Sequence, residues 1–325
     1  MNYQINNNTQ RGIFPTLEKS LRSTVKLWTD PKTKKQYAIK FVSAENGSLQ
    51  KEYDLLGKFC HPNIIQALEN GTEGKNNYLI TEFMNEGDLL KFAINNSKLY
   101  MPLFRKGKSF EKFWRSIFLQ CLNALLYLHN LGWAHLDLKP ENFLINSEFD
   151  IKLIDFEFCF QMDTLTSNKL QCSKSCGSES YYSPEIKESL TPYDPMKSDV
   201  FSLAVMMMTL MRGINLFTAN VGNSNFQYCQ IKCGEFKGFW NKLSFAEVFS
   251  VEFKDLMEKM LTYDPTNRIS LEEVKNHKWF RGETFNKDEL KEFFNKFEVY
   301  LLKESGSKKN SKYESFPKKV KKDQN

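Results

Sequence analysis

From about Thr16 to Phe83, apolar and polar residues alternate with period two. Val25 and Leu27, then Tyr37, Ile39 and Phe41, then the run Tyr78 to Phe83 predict strands whose alternate side chains share a face. One helical segment interrupts them. Ser48 can cap it, and Leu49, Glu52, Tyr53, Leu56 and Phe59 recur at three and four before His61-Pro62 stops it. After Gly87 the period becomes helical: Phe110, Phe113, Trp114, Ile117, Phe118, Cys121, Leu125 and Leu128 form one stripe, which Gly132 ends. Short strands at 143–145 and 151–154 flank a polar turn, and helices resume at about 198–212, 253–261 and 271–276. A last amphipathic helix is predicted over 287–303, through Leu290, Phe293, Phe294, Phe297 and Leu301. No internal repeat is present. Strands first and helices later predict an α+β chain of two unequal lobes, a small mainly antiparallel β lobe with one helix and a larger helical lobe, with a ligand cleft between them.

Composition changes this picture little. The chain has 325 residues, 41% hydrophobic and 26% charged, which is ordinary for a globular protein. The longest apolar stretch, Val200 to Met211, is broken by Ser202 and Thr209 and falls short of the roughly 20 residues a bilayer span needs, so it reads as a core helix and no membrane role is expected. Met1 to Gln10 shows no address signal, and Asn2 stands where myristoylation requires glycine. The formal charge is +6, but the segment from Lys303 to Asn325 holds eight lysines against three acidic residues. The body is therefore near neutral, and no nucleic acid is expected as partner. The serine- and lysine-rich end reads as a disordered tail, with nuclear import through the Lys318–Lys322 run as the alternative. Seven cysteines without framework spacing predict thiols in a reducing, cytoplasmic setting. Neither Cys172/Cys176 nor Cys229/Cys233 has a zinc-knuckle gap; redox sensing by Cys159, Cys172 and Cys176 is a minor alternative.

Chemistry concentrates in His135-Leu136-Asp137-Leu138-Lys139-Pro140-Glu141-Asn142, followed by an apolar run and then Asp155-Phe156. A polar loop between a helix and a strand would not require Asp137, Lys139, Asn142 and Asp155 together. Phosphoryl transfer does: it needs a carboxylate for the hydroxyl proton, a cation on the moving phosphoryl group and oxygen ligands for magnesium.

With these motifs the chain resembles the eukaryotic protein kinase family, serine/threonine type, from about Leu17 to Phe280. The resemblance implies a kinase that transfers the ATP γ-phosphate to protein substrates with Mg2+. Tyr37-Ala38-Ile39-Lys40 is similar to the family's lysine strand, so Lys40 would hold the α- and β-phosphates and pair with Glu52. Asp137 would be the catalytic base, Lys139 would contact the transferring phosphate, and Asn142 and Asp155 would hold magnesium. Thr81 takes the gatekeeper place before a hinge of Glu82, Phe83 and Met84, and Val25, Ala38 and Leu144 would enclose the adenine. Glu185 is expected to pair with Arg268, and Asp199 to anchor the catalytic loop. Asp88 and Glu141 match positions that bind an arginine upstream of the phosphorylated residue. The closest subgroup resembled is calmodulin-kinase-like, although the mixed charge of 287–303 does not suit a calmodulin target. The implied division is an extension at 1–13, a small lobe at 14–84, a large lobe at 85–283, and a helix and tail at 284–325.

The pattern breaks in three places. The three glycines of the phosphate loop are replaced by Glu18, Ser20 and Ser23, which predicts a stiffer loop, with Lys19 and Arg22 adding charge. Glu157 replaces the glycine after Asp155-Phe156, either joining the metal or facing solvent. Leu136 replaces the arginine that reads a phosphate on the activation segment, and Lys174 occupies the phosphorylated position, with Ser173 and Ser175 beside it. Activity is thus expected not to need that mark, and Ser178 is expected to bond Asp137 and Lys139. Two other readings follow: a pseudokinase scaffold presenting its surface to a partner, and a small-molecule kinase of the same fold.

Overall fold

The computed structural model describes residues 15–20, 22–46, 49–96, 108–162, 177–190, 192–213, 215–217, 226–243 and 246–295. The first lobe is an antiparallel sheet of β1 (Thr16–Lys19), β2 (Ser23–Thr29), β3 (Gln36–Ser43), β4 (Ala67–Glu73) and β5 (Asn76–Glu82), in the order β1-β2-β3-β5-β4. Directly opposed residues of antiparallel strands share a face. Val25 opposes Lys40, Leu27 opposes Ala38, and Ala38 opposes Thr81, so these five side chains line one face. Tyr37, Ile39 and Ile80 lie on the other and form a separate apolar cluster with Trp28, Phe41 and Tyr78. The β3 alternation thereby sorts Lys40 to the cleft and its neighbours to the outer surface.

Helix α1 (Gln50–Leu56) follows β3 and buries Leu55 and Leu56. Its N-cap is Leu49, without a side-chain cap bond, and the expected cap Ser48 lies outside the described residues. Phe59 of the expected stripe is buried just beyond the helix. The larger lobe opens with α2 (Leu89–Asn95) and is organised around α3 (Lys108–Asn130), whose predicted eight-residue stripe is buried throughout. Strands β6 (Trp133–Ala134) and β9 (Phe160–Gln161) pair, as do β7 (Phe143–Ile145) and β8 (Ile151–Leu153). The helices α4 (Pro184–Lys187), α5 (Pro195–Arg212), α6 (Phe226–Lys232), α7 (Phe236–Asn241), α8 (Val251–Met260) and α9 (Leu271–Asn276) complete it.

Local chemistry sets several of these boundaries. Asp194 caps α5 through Met196 and Lys197, so the helix begins at Pro195 rather than at the expected Ser198, and Gly213 ends it in the left-handed region at φ 71°. Ser270 and Glu273 form a reciprocal capping box on α9. Residues 287–295 are helical, with Leu290 buried, Phe293 stacked on Phe113 and Phe294 tilted against it. The remainder of that expected helix, the tail with Lys318–Lys322, residues 1–10, Cys172, Ser173, Lys174, Ser175 and Cys176 lie outside the described residues. One apolar core runs from Leu79 and α1 through α3 and α5 to Trp279. Among the described residues no helix is long and apolar enough to cross a membrane.

Candidate active site

The cleft face of β3 carries Lys40 towards α1. Its Nζ donates to Glu52 Oε2 at 2.8 Å and to Asp155 Oδ1 at 3.4 Å, so the expected ion pair is present and a third member comes from the larger lobe. Burial opposes charge on Lys40, but the two carboxylates outweigh it and raise its pKa above the ordinary lysine range. Lys40 is therefore a fixed cation at neutral pH.

Below it lies the loop from His135 to Asn142. Buried Asp199 of α5 accepts the backbone N–H of His135 and of Leu136, each at 2.8 Å, and contacts His129 Nε2 at 3.0 Å. This clamp holds Leu136 at φ 64°, in the left-handed region that a branched side chain disfavours. The turn delivers Asp137, whose Oδ2 accepts Lys139 Nζ at 2.7 Å and Asn142 Nδ2 at 2.9 Å. Its Oδ1 is buried without a hydrogen-bond partner. An orphaned carboxylate oxygen costs free energy until a donor arrives, and a hydroxyl is such a donor. Ser178 Oγ accepts Lys139 Nζ at 2.8 Å. The expected bond from Ser178 to Asp137 is not formed: the hydroxyl meets Lys139, and Asp137 Oδ1 keeps no partner. Gly177 is required beside this loop: a Cβ there would stand 2.4 Å from the Leu136 carbonyl.

Asn142 ties this loop to the strand pair. Its Nδ2 also donates to the Asp137 carbonyl at 2.7 Å, and its own carbonyl accepts Ile154 N–H at 2.9 Å, one residue before Asp155. Asp155 sits at φ 64°. Phe156 is buried against Phe59 and His135, which pins the Asp155 turn to both lobes. Magnesium typically takes one or two protein oxygens and completes its shell with substrate phosphates and water. Asp155 and Asn142 fit that sparse donor set, and among the described residues no group of three or more His, Cys, Asp or Glu competes with them.

The remaining expected residues divide. Val25, Ala38 and Thr81 share the Lys40 face of the sheet. Leu144 is partly buried on β7, bridged to Asp88. Glu82 turns its carboxylate to Gln66 N–H and Lys152 Nζ, and the Met84 side chain is buried in the core, so a hinge contact at either falls to the backbone. Asp88 caps α2 by accepting Lys91 N–H at 2.8 Å and pairs with Lys91 Nζ at 2.8 Å. Glu157 is exposed, 4.0 Å from Arg22. Two structural contributors carried no expectation. His129 joins the Asp199 clamp, and Asn63 binds the Ile151 carbonyl at 2.9 Å and Gln120 at 3.1 Å. Their partners are 70 and 88 residues away for the first two contacts, so no local pattern marks them.

A protein kinase domain family profile matches residues 21–280. The chain belongs to the eukaryotic protein kinases of the serine/threonine type. It is similar to CBL-interacting protein kinase 11 of Oryza sativa subsp. japonica, 30% identical over 236 residues that cover 72% of this chain and 42% of that protein. Serine/threonine-protein kinase SIK1 of Mus musculus is 30% identical over 274 residues, 82% of this chain and 32% of its own length. CBL-interacting serine/threonine-protein kinase 14 of Arabidopsis thaliana is 28% identical over 256 residues, 77% of this chain and 53% of its own. The chain thus spans between a third and about half of these relatives.

Proposed function

We propose that this protein kinase is catalytically active and transfers the γ-phosphate of ATP to serine or threonine in protein substrates. The observation that carries the reading is Asp137: one oxygen is fixed by Lys139 and Asn142 while the other is buried and open. That is the arrangement a hydroxyl proton acceptor needs, aimed and desolvated before the substrate arrives. Lys139 then lies beside the same proton path with a charge for the migrating phosphoryl group. Lys40 would bind the α- and β-phosphates, and Asn142 and Asp155 would hold Mg2+, which supplies charge neutralisation between the phosphates when bound. Val25, Ala38 and Leu144 would enclose the adenine, with Thr81 behind it and the Glu82 and Met84 backbone along its edge.

Regions 14–84 and 85–283 act in this reading as the two jaws, with 1–13 and 284–325 outside them. A basic preference upstream of the phosphorylated residue would rest on Asp88 and on Glu141, whose Oε2 is buried without a partner. The described cysteines are free thiols, which suits a reducing, cytoplasmic location.

A second reading, a scaffold with weak or absent catalysis, is favoured by the phosphate loop. Arg22 and Ser23 donate their backbone N–H groups to Ser20 Oγ, at 3.3 and 3.0 Å, instead of leaving them for phosphate. Transfer of radiolabel from ATP to a panel of protein substrates separates the two. Activity abolished in Lys40→Met and Asp155→Asn supports the enzyme; no transfer by the unaltered protein supports the scaffold.

A further inference from the structure

The break in the phosphate loop and the break in the metal motif meet in space. Within the loop hairpin Ser20 N–H donates to the Ser23 carbonyl at 2.9 Å, and Ser20 Oγ accepts from Arg22 and Ser23. Three backbone donors that a glycine loop would turn on an anion are consumed inside the hairpin. What the hairpin offers instead is side-chain charge. The Arg22 guanidinium reaches across the cleft to within 4.0 Å of Glu157 Oε1, two residues past Asp155. Asp155 in turn lies 3.4 Å from Lys40 Nζ. Arg22 therefore spans from the roof of the cleft to the residues expected to surround the phosphates.

Its contact with Glu157 is loose, with side chains 78% and 58% exposed. Exposed ion pairs of this kind are weak and screened by salt. A polyphosphate carries several charges against one, and its oxygens match the guanidinium fork in pairs. We propose that Arg22 is a phosphate-binding residue of the nucleotide site, resting on Glu157 as a replaceable counter-ion and transferring to the polyphosphate on binding. A side chain thereby does what backbone amides do in a glycine-rich loop. The inference rests on the nucleotide-binding reading above. It follows that affinity depends on phosphate charge more than on the nucleoside, and falls with ionic strength.

Isothermal titration of the full chain with Mg-ATP and with adenosine tests this without recourse to catalysis. Arg22→Ala should weaken Mg-ATP by about tenfold or more, the scale of one charged hydrogen bond, and leave adenosine unchanged. Glu157→Gln, which removes the competing carboxylate, should tighten Mg-ATP. If Arg22→Ala leaves the ratio of ATP to adenosine affinity as in the unaltered chain, the inference is overturned while the nucleotide site stands. If Glu157→Gln weakens Mg-ATP, the carboxylate is not a competitor and the exchange is overturned. If the unaltered chain takes up neither ligand, the inference and the reading beneath it fall together.

Discussion

Asp137 and its neighbours show how much the chemistry depends on single backbone and side-chain positions. Leu136 and Asp155 both sit at φ 64°, and a non-glycine residue in that region costs about 1–3 kcal/mol. Each is held there by specific partners: Asp199 grips the Leu136 N–H, and buried Phe156 fixes the turn at Asp155. The gain is a carboxylate with one oxygen anchored and one open. Asp137→Asn keeps the shape but removes the proton acceptor. The expected outcome is a fall in kcat of about 10²-fold or more, with binding of Mg-nucleotide little changed. Steady-state kinetics beside equilibrium nucleotide binding checks both halves, and an unchanged kcat would remove Asp137 from the reaction.

Between elements, the replacement of a charge by an apolar side chain decides how the catalytic loop is supported. Leu136 packs with Ala134, Ile186 and Tyr193, and Phe158, Phe160, Tyr182 and Met196 close around them. These residues come from β6, from the segment at β9, and from the stretch leading through α4 to α5, so one apolar cluster joins the chain on both sides of 163–176 to the catalytic loop. Such a cluster forms on folding and has no charge for a phosphate to satisfy. Phosphatase treatment of the purified protein is accordingly expected to leave kcat unchanged. Leu136→Ala should cost about 2–5 kcal/mol of stability. It should also lower kcat at temperatures where the variant remains folded, with Leu136→Met restoring most of it. Activity lost on dephosphorylation would show that a charged mark, not this packing, sets the loop.

Across the whole molecule the two lobes share one core, a buried ion pair braces the larger lobe, and the helical residues 287–295 are joined to it by Leu290 and exposed ion pairs. Glu185 at α4 accepts both guanidinium nitrogens of Arg268, at 2.7 and 2.9 Å, with both side chains almost wholly buried. Arg268 also donates to the carbonyls of Lys197, Thr262 and Tyr263, fastening the α5 start to the α8–α9 connection. Burial raises the Glu185 pKa, but the Arg268 contacts outweigh it and hold the carboxyl below its usual range. Its stabilising contribution is complete above the ordinary glutamate pKa and is lost as pH falls through the lowered folded value. Arg268→Ala leaves that carboxylate buried and unpaired, and about 3–5 kcal/mol is expected to go. Denaturant unfolding at neutral pH measures it, and repeating it in acid should shrink the difference. At the far end of the lobe, residues 287–295 lie beyond the family match yet share the core through Leu290, while Lys287 pairs with Asp150 and Lys291 with Glu148.

Periodicity alone determined much of the architecture. The β3 alternation, the α3 stripe and the paired strands at 143–145 and 151–153 are local patterns, each the result of one face meeting a core. The resemblance to the kinase motifs likewise marked Lys40, Glu52, Asp137, Lys139, Asn142 and Asp155, common residue types set apart only by their order and spacing. Helices α2, α6 and α7, of six or seven residues each, were not read from the sequence, although α1 and α9, of the same lengths, were. Strand β4 was hidden, since Leu68, Glu69, Asn70 and Gly71 do not alternate and the strand exists through its pairing with β5. The tertiary structure also decided which carboxylate does what. Asp88, Glu82 and Glu157 all bring a carboxylate, yet the first caps a helix, the second holds Lys152 and the third faces Arg22. Sequence fixes which groups a chain can bring, but charge acts through distance and burial, and those are set only when remote segments pack.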